Sequence, residues 1–502
     1  MAGLPPLTVV TDAPPAFLPR ATWVLDTVLA PLGRRVALTR DPAAGGGAAF
    51  AYAAAPLGGV PTIPCAAAAM AMLAAGEALP AGAFAVRPGA AGEAVGAFAA
   101  APDAGFCVPF DLVASAFTLL ACWDERTSGE RDRFGRLPYS ASLFTANPAL
   151  RIEEPAVDGY VALLRGILTP RLEELGLEPL PAAGWMWGDG PASGGSAGAR
   201  FAVALTHDLD NLWRWSPAGL LAAARAGARA VRHADAPALR REGTDVWAWL
   251  SHHLPHRTDP YWTFPEILGG EDARGVSSTF FVIARHTHRL DGAQPRQYHQ
   301  RLPAVLDLLA AARREVALHG NDGDRLGERL LREDRLRLEQ QTKNPVRGMR
   351  YHYLRCLYHE TLPYLEKTGF DYDSSLAFAE HEGCRCGTSF PFHPYNLAEE
   401  RPLRLLELPL AVMDTGLQGA RYRALDAPTA ERASRRVLER TQGAGGAVAL
   451  LWHNVRFDRC SAQGYDAVYW HLVDWVRAQG GLATTAETVA RRWRERTEDV
   501  ST

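Results

Sequence analysis

The segment FAVALTHDLD, residues 201–210, is a short apolar run that gives way without a turn to Thr206, His207, Asp208 and Asp210. Five successive apolar residues read as a strand buried on both faces, the kind found in parallel sheets. The same grammar recurs downstream. Strands are expected at 278–283, 315–318, 346–349, 405–409, 447–451 and 481–485, with helical stretches between them. Alternating strands and helices imply a parallel α/β sheet, and seven or so strands favour a (β/α) barrel, incomplete or seven-stranded, over an open doubly wound sheet. Active groups of such barrels sit just past the strand C-terminal ends.

Upstream of residue 201 the texture differs. Short apolar runs at 7–11, 35–39 and 83–86 alternate with Ala-rich helical stretches such as 66–75, which predicts a small α/β domain over residues 1–180. Amphipathic helices are expected at 111–123, opening on Asp111, and from Pro155 onward, with a charged loop at 126–139 between them. Residues 181–200, dense in Gly, Pro and Ser, read as a linker, leaving 201–495 for the barrel.

With 502 residues, 47% of them hydrophobic, the chain can bury two such cores, and disorder is excluded. A net charge of -3, from 53 basic and 56 acidic side chains, supplies no field for nucleic acid or an anionic membrane. The seven cysteines are scattered and form neither a disulfide framework nor a zinc ribbon. No long apolar run and no secretory pattern occur, so a cytoplasmic protein without a transmembrane segment is expected.

Each strand end carries a candidate. Asp208 and Asp210 could divide the work of holding a divalent cation and accepting a proton; the competing explanation is an Asp-rich helix cap. His319 leaves its strand into a loop of Gly, Asn and Asp and suits a metal ligand, although alone it would be read as a turn histidine. Arg350 could pin a carboxylate, against the simpler reading of a surface charge. Asp373 ends an aromatic run and is either a functional carboxylate or a turn cap. His453, beside Trp452, is a candidate general acid or a packed histidine.

Taken in order, THDLD (206–210), EVALHG (315–320), GMRYHY (348–353), GFDYDSS (369–375) and LLWHN (450–454), with GVSSTFFV (275–282) in support, resemble the polysaccharide deacetylase superfamily over residues 201–493. This is the NodB homology group, carbohydrate esterase family 4 and relatives. RYHYLR and YDSSL resemble a bacterial subgroup with an extra N-terminal domain. The resemblance implies hydrolysis of a C–N bond other than a peptide bond. An N-acyl group, most often acetyl, would be removed from an amino-sugar-containing glycan with the help of a divalent metal, usually zinc. It places the catalytic base at Asp208, a metal ligand at Asp210 and the first metal histidine at His319. It puts the base-orienting arginine at Arg350, the carboxylate that tunes the acid at Asp373 and the acid itself at His453. An amine leaves only when protonated, so a cationic His453 beside a carboxylate agrees with the chemistry.

One position departs from the family pattern. The second metal histidine is expected four residues after the first, where this chain has Gly323. Three protein ligands are the norm for catalytic zinc. Asp322, Asp324, His207 and His352 are candidates for the third, and His352 is taken as the assignment.

Other features are weaker. The basic amphipathic stretch 213–241 could lie on an anionic membrane, but a solvated helix is preferred. His252, His253 and His256 read as a surface loop, and Cys384 and Cys386 as ordinary thiols. Rival functions are a non-catalytic sugar-binding module of the same fold, made credible by Gly323, a glycoside hydrolase, and a hydrolase of a non-sugar amide. The set of His319, Arg350 and His453 favours amide chemistry over glycoside hydrolysis. No motif specifies the sugar, the acyl group or the oligomeric state.

Overall fold

The first four strands, β1 (Leu7–Thr11), β2 (Val36–Thr39), β3 (Phe50–Ala53) and β4 (Thr62–Pro64), form a parallel sheet in the order β2-β1-β3-β4. Helix Leu18–Leu29 links β1 to β2 and buries Val24, Leu25 and Val28. The computed structural model describes residues 4–89, 92–100, 105–188, 199–214, 217–232, 259–292, 295–323, 327–458 and 462–498. Strands β5 (Ala85–Gly89) and β6 (Gly92–Gly96) pair antiparallel. Helix Leu112–Leu120 follows, opened by Asp111, whose carboxylate accepts the Ala114 N–H at 2.8 Å. Such a cap satisfies one of the orphan donors of the first helical turn. Helix Ala156–Glu174 starts just after Pro155, as the sequence suggests.

The second sheet contains β7 (Ala202–Leu209), β8 (Thr279–Val282), β9 (Glu315–Gly320), β10 (Gly348–Tyr351) and β11 (Tyr372–Asp373). A short antiparallel pair, β12 (Tyr395–Asn396) and β13 (Arg401–Pro402), lies outside it. The sheet resumes with β14 (Leu406–Glu407), β15 (Leu410–Met413) and β16 (Ala447–Leu451), and β17 (Leu482–Thr484) pairs with the start of β7. All pairings in it are parallel, in the order β14-β11-β10-β9-β8-β7-β16-β15.

The two ends of that order meet. Only Leu408 and Pro409 separate β14 from β15 in sequence. The Leu408 N–H donates to the Asp373 carbonyl at 2.9 Å and the Ala449 N–H to the Pro409 carbonyl at 2.8 Å. One bent length of chain therefore spans both edges and curls the sheet into an incomplete (β/α) barrel. The strand expected at 405–409 is shortened to Leu406–Glu407, and Leu410–Met413 is a strand that the sequence reading did not predict. All eight residues of β7 are buried, which explains its apolar start and the absence of an alternating polar face.

The two α/β parts share one apolar core. Trp23 packs against Tyr395 with ring centroids 4.9 Å apart and planes tilted by 38°, and its Nε1 donates to the His393 carbonyl at 2.7 Å. Glu125 forms a buried ion pair with Arg385. Within the stretch expected as a linker, Trp187 is buried and donates to the Gly445 carbonyl at 2.8 Å, whereas residues 189–198 lie outside the described residues. Of the basic stretch 213–241, Pro217–Arg232 is helical and 233–241 lies outside the described residues, as do His252, His253 and His256. Among the described residues, no helix is long and apolar enough to cross a membrane.

Candidate active site

Along β7 the side chains alternate, so Thr206, Asp208 and, just past the strand, Asp210 share one face while His207 points to the other. That alternation sorts the candidates. His207 Nδ1 lies 2.6 Å from the Trp452 carbonyl and Nε2 lies 3.3 Å from Glu271, away from the other candidates. It is therefore a buried packing histidine and not the third ligand.

Arg350, on β10, is fully buried and its charge is answered on every side. Nη1 donates to Asp208 Oδ1 at 2.8 Å and to Thr206 Oγ1 at 2.9 Å. Nε donates to the Ser374 carbonyl at 2.8 Å and Nη2 to Ser374 Oγ at 3.1 Å, while the Phe281 ring lies 4.2 Å from the guanidinium. A buried guanidinium persists only when it is paired and hydrogen-bonded. Thr206 and Ser374 are the positioning groups that the sequence reading missed.

His319, on β9, stands beside both aspartates. Its Nε2 is 3.1 Å from Asp210 Oδ1 and 3.6 Å from Asp208 Oδ2. Its Nδ1 lies 2.9 Å from the Arg350 carbonyl, an acceptor that takes a proton on Nδ1 and so turns Nε2 toward the aspartates. His352, in the turn His352–Leu354 past β10, brings Nε2 to 3.5 Å from Asp210 Oδ2. Ligand atoms of Asp210, His319 and His352 all lie within 4.8 Å of one another. Asp210 Oδ1 and His319 Nε2 are buried and lack hydrogen-bond partners. Two imidazoles and a carboxylate, with buried donor atoms left unanswered, fit a divalent cation of the borderline kind. Burial alone would raise the Asp210 carboxyl; His352, His319 and His453 reverse this and hold it well below the usual carboxylate range.

The position four residues after His319 is tightly enclosed. A Cβ on Gly323 would come within 3.1 Å of Asn321 Oδ1 and of Thr287 Oγ1. The Gly323 N–H already donates to those two atoms at 2.8 and 3.0 Å. Asp322 is engaged with Arg355, and Asp324 lies outside the described residues.

His453, past β16, approaches Asp210 from another direction, Nε2 lying 3.4 Å from Oδ2. Its partner is Asp414. The Asp414 Oδ1 accepts from His453 Nδ1 at 2.6 Å, and Oδ2 accepts from the His453 N–H at 3.1 Å and from Arg456 Nε at 3.2 Å. Burial disfavours the imidazolium, but the carboxylates of Asp414 and Asp210 override it and raise His453 well above the ordinary histidine value.

The expectation that Asp373 sits beside His453 is corrected. In the sheet order β15 is the neighbour of β16 and β11 stands near the opposite end, so the strand end next to His453 carries Asp414 and not Asp373. Asp373 is fully buried, accepting from Ser375 Oγ at 2.7 Å and from the Ser375 N–H at 2.9 Å, and it faces Glu407. Burial and the nearby Asp373 push the Glu407 carboxyl well above its usual range, and both carboxyls belong to the buried barrel wall. The missed signal was LAVMD, residues 410–414, the same apolar run ending in a carboxylate that marks β7.

Comparisons with known proteins add the following. Residues 15–173 match a family of unknown function, DUF7033. No curated protein matches the chain. Among solved structures, the "putative polysaccharide deacetylase from Mycobacterium smegmatis" is 20% identical with a TM-score of 0.40, covering 63% of this chain and 94% of that one. Puue allantoinase is 14% identical with a TM-score of 0.40, covering 64% and 96%. A family 4 carbohydrate esterase from Streptomyces lividans, in complex with acetate, is 12% identical with a TM-score of 0.28, covering 57% and 92%.

Proposed function

We propose that this protein is a metal-dependent amidohydrolase that removes an N-acyl group, most simply acetyl, from an amino-sugar-containing glycan or glycoconjugate. In this reading residues 201–495 form the catalytic domain and residues 1–180 an N-terminal α/β domain packed against it. The observation that carries it is the arrangement of two proton-transfer groups at different points of the Asp210, His319 and His352 cluster: Asp208, pinned by Arg350, and His453, backed by Asp414.

Each residue has a stated task. Arg350 occupies Asp208 Oδ1 and fixes the carboxylate, leaving Oδ2 toward the cluster to accept a proton from the attacking water. Asp414 holds Nδ1 of His453, so Nε2 carries the proton that passes to the departing nitrogen. An amine is a poor leaving group until it is protonated, which gives that proton its purpose. A divalent cation held by Asp210, His319 and His352, with zinc suited to the donor set, would polarise the acyl carbonyl and lower the pKa of water.

The test is metal analysis of the purified protein together with acetate-release assays on N-acetylhexosamine oligomers and on nucleotide-linked and lipid-linked N-acetylated sugars. Stoichiometric divalent metal with release of acetate is expected. Metal-dependent release of free sugar would point to glycoside hydrolysis, and failure to bind zinc would sink the reading.

A further inference from the structure

His352 stands past the end of β10, where no ladder hydrogen bond fixes it, and the groups that hold its turn come from the N-terminal part of the chain. Tyr353 stacks on His352 at 4.1 Å and 20°, and Phe134 stacks in turn on Tyr353 at 4.6 Å and 13°. The guanidinium groups of Arg133 and Arg136 lie over the Phe134 ring at 4.5 and 4.9 Å. Two hydrogen bonds run alongside the stack. Arg136 Nη1 donates to the Tyr353 carbonyl at 2.6 Å, and Arg355 Nε donates to the Phe134 carbonyl at 3.0 Å.

The loop that supplies these groups is itself held firmly. Asp132 Oδ1 accepts from the Phe134 and Arg136 N–H groups at 2.8 and 3.0 Å, and Oδ2 accepts from Arg136 Nε and Nη2 at 2.9 and 2.6 Å. Gly135, at φ +77°, closes the turn. The turn it contacts is strained: Tyr353 and Leu354, neither of them glycine, lie in the left-handed region at φ 57° and 55°. Such a conformation persists only where its surroundings over-determine it. Metal-ligating histidines also need outer contacts that fix the ring, and His352 Nδ1 is buried without a hydrogen-bond partner, so stacking serves that purpose here.

We propose that the loop 132–136 is a positioning clamp for His352, so that the segment matched by the family of unknown function completes the metal site of the barrel. Phe134 and Arg136 are the positioning residues. The inference rests on the reading of Asp210, His319 and His352 as metal ligands.

The experiment uses the full chain. Zinc affinity is measured by chelator competition, and the visible spectrum of the cobalt form is recorded, for the wild type and for Phe134→Ala, Phe134→Tyr, Arg136→Gln and His319→Ala. Circular dichroism checks folding, and Arg136→Gln, which keeps the ring stack, serves if Phe134→Ala does not fold. Loss of the clamp should weaken zinc binding about 10- to 100-fold and alter the cobalt bands, with Phe134→Tyr restoring both. His319→Ala should abolish binding. Zinc bound by the wild type and lost in His319→Ala, but unchanged in Phe134→Ala and Arg136→Gln, would overturn the clamp and leave the ligand reading intact. Wild-type protein that binds no zinc, or binding untouched by His319→Ala, would overturn the ligand reading and the clamp with it.

Discussion

His453 donates Nδ1 to Asp414 across 2.6 Å, and the two residues come from the ends of adjacent strands, β16 and β15. That contact orients the imidazole and leaves Nε2 facing Asp210 at 3.4 Å. It also assigns to Asp414 the part that the sequence reading gave to Asp373.

Asp414→Asn is therefore expected to slow N-deacylation by about 100-fold, the usual worth of a positioned general acid, whereas Asp373→Asn should leave turnover close to wild type. His453→Ala should slow an amide substrate far more than an O-acetyl ester, because an alkoxide departs with less need of a proton. Steady-state rates on matched amide and ester substrates decide this; equal losses on both would remove His453 as the leaving-group acid.

Metal content separates the candidate third ligands. His352→Ala should lose bound metal as His319→Ala does, while His207→Ala should keep it, since His207 faces Glu271 and Trp452. Retention of full metal by His352→Ala would place the third ligand elsewhere.

Gly323→His reinstates a histidine at the usual family spacing, but into a crowded position. With Asn321 Oδ1 and Thr287 Oγ1 only 3.1 Å from a Cβ, overpacking should cost about 1–3 kcal/mol. A lowered Tm without tighter zinc binding is the expected result, and a gain in zinc affinity would contradict it.

Asp208→Asn keeps the shape of the base but cannot accept a proton, so turnover should fall by about 100-fold or more with metal retained. Arg350→Leu removes the cation from a fully buried pair and should cost about 3–5 kcal/mol of stability, readable by denaturant unfolding. Loss of activity in Arg350→Leu without loss of stability would mean that the pair is not buried as described.

Stability should also respond to Asp111. Burial raises its carboxyl from 3.8 to about 7, against the opposing N–H donors of Ala114 and Ala66. The folded state therefore keeps a proton that the unfolded chain releases. This contribution is fully present below pH 3.8, declines as pH rises and is gone above about 7. A tenfold difference in proton affinity between the two states corresponds to about 1.4 kcal/mol. Asp111→Asn removes the titration, so the stability of wild type relative to the variant should fall between pH 4 and 7; a difference independent of pH would refute the assignment.

Much was legible in the sequence because it is local. An apolar run that ends in a polar residue marks a strand and its business end together, and 201–210, 315–320 and 447–453 announce β7, β9 and β16 with Asp208, Asp210, His319 and His453 in place. The run 405–414 was harder. One bent stretch contributes β14 to one edge of the barrel and β15 to the other, and periodicity cannot show that two halves of an apolar run pair with different neighbours.

What the sequence determined by itself was the alternation of strands and helices and the inventory of titratable groups at the strand ends, since these follow from nearest neighbours along the chain. Which carboxylate meets His453, which histidine stands beside Asp210 and His319, and which ring stacks on Tyr353 were decided only by the tertiary structure. Strand pairing and contacts such as Phe134 on Tyr353 join residues far apart in sequence, where the spacing between motifs carries no information about distance in space.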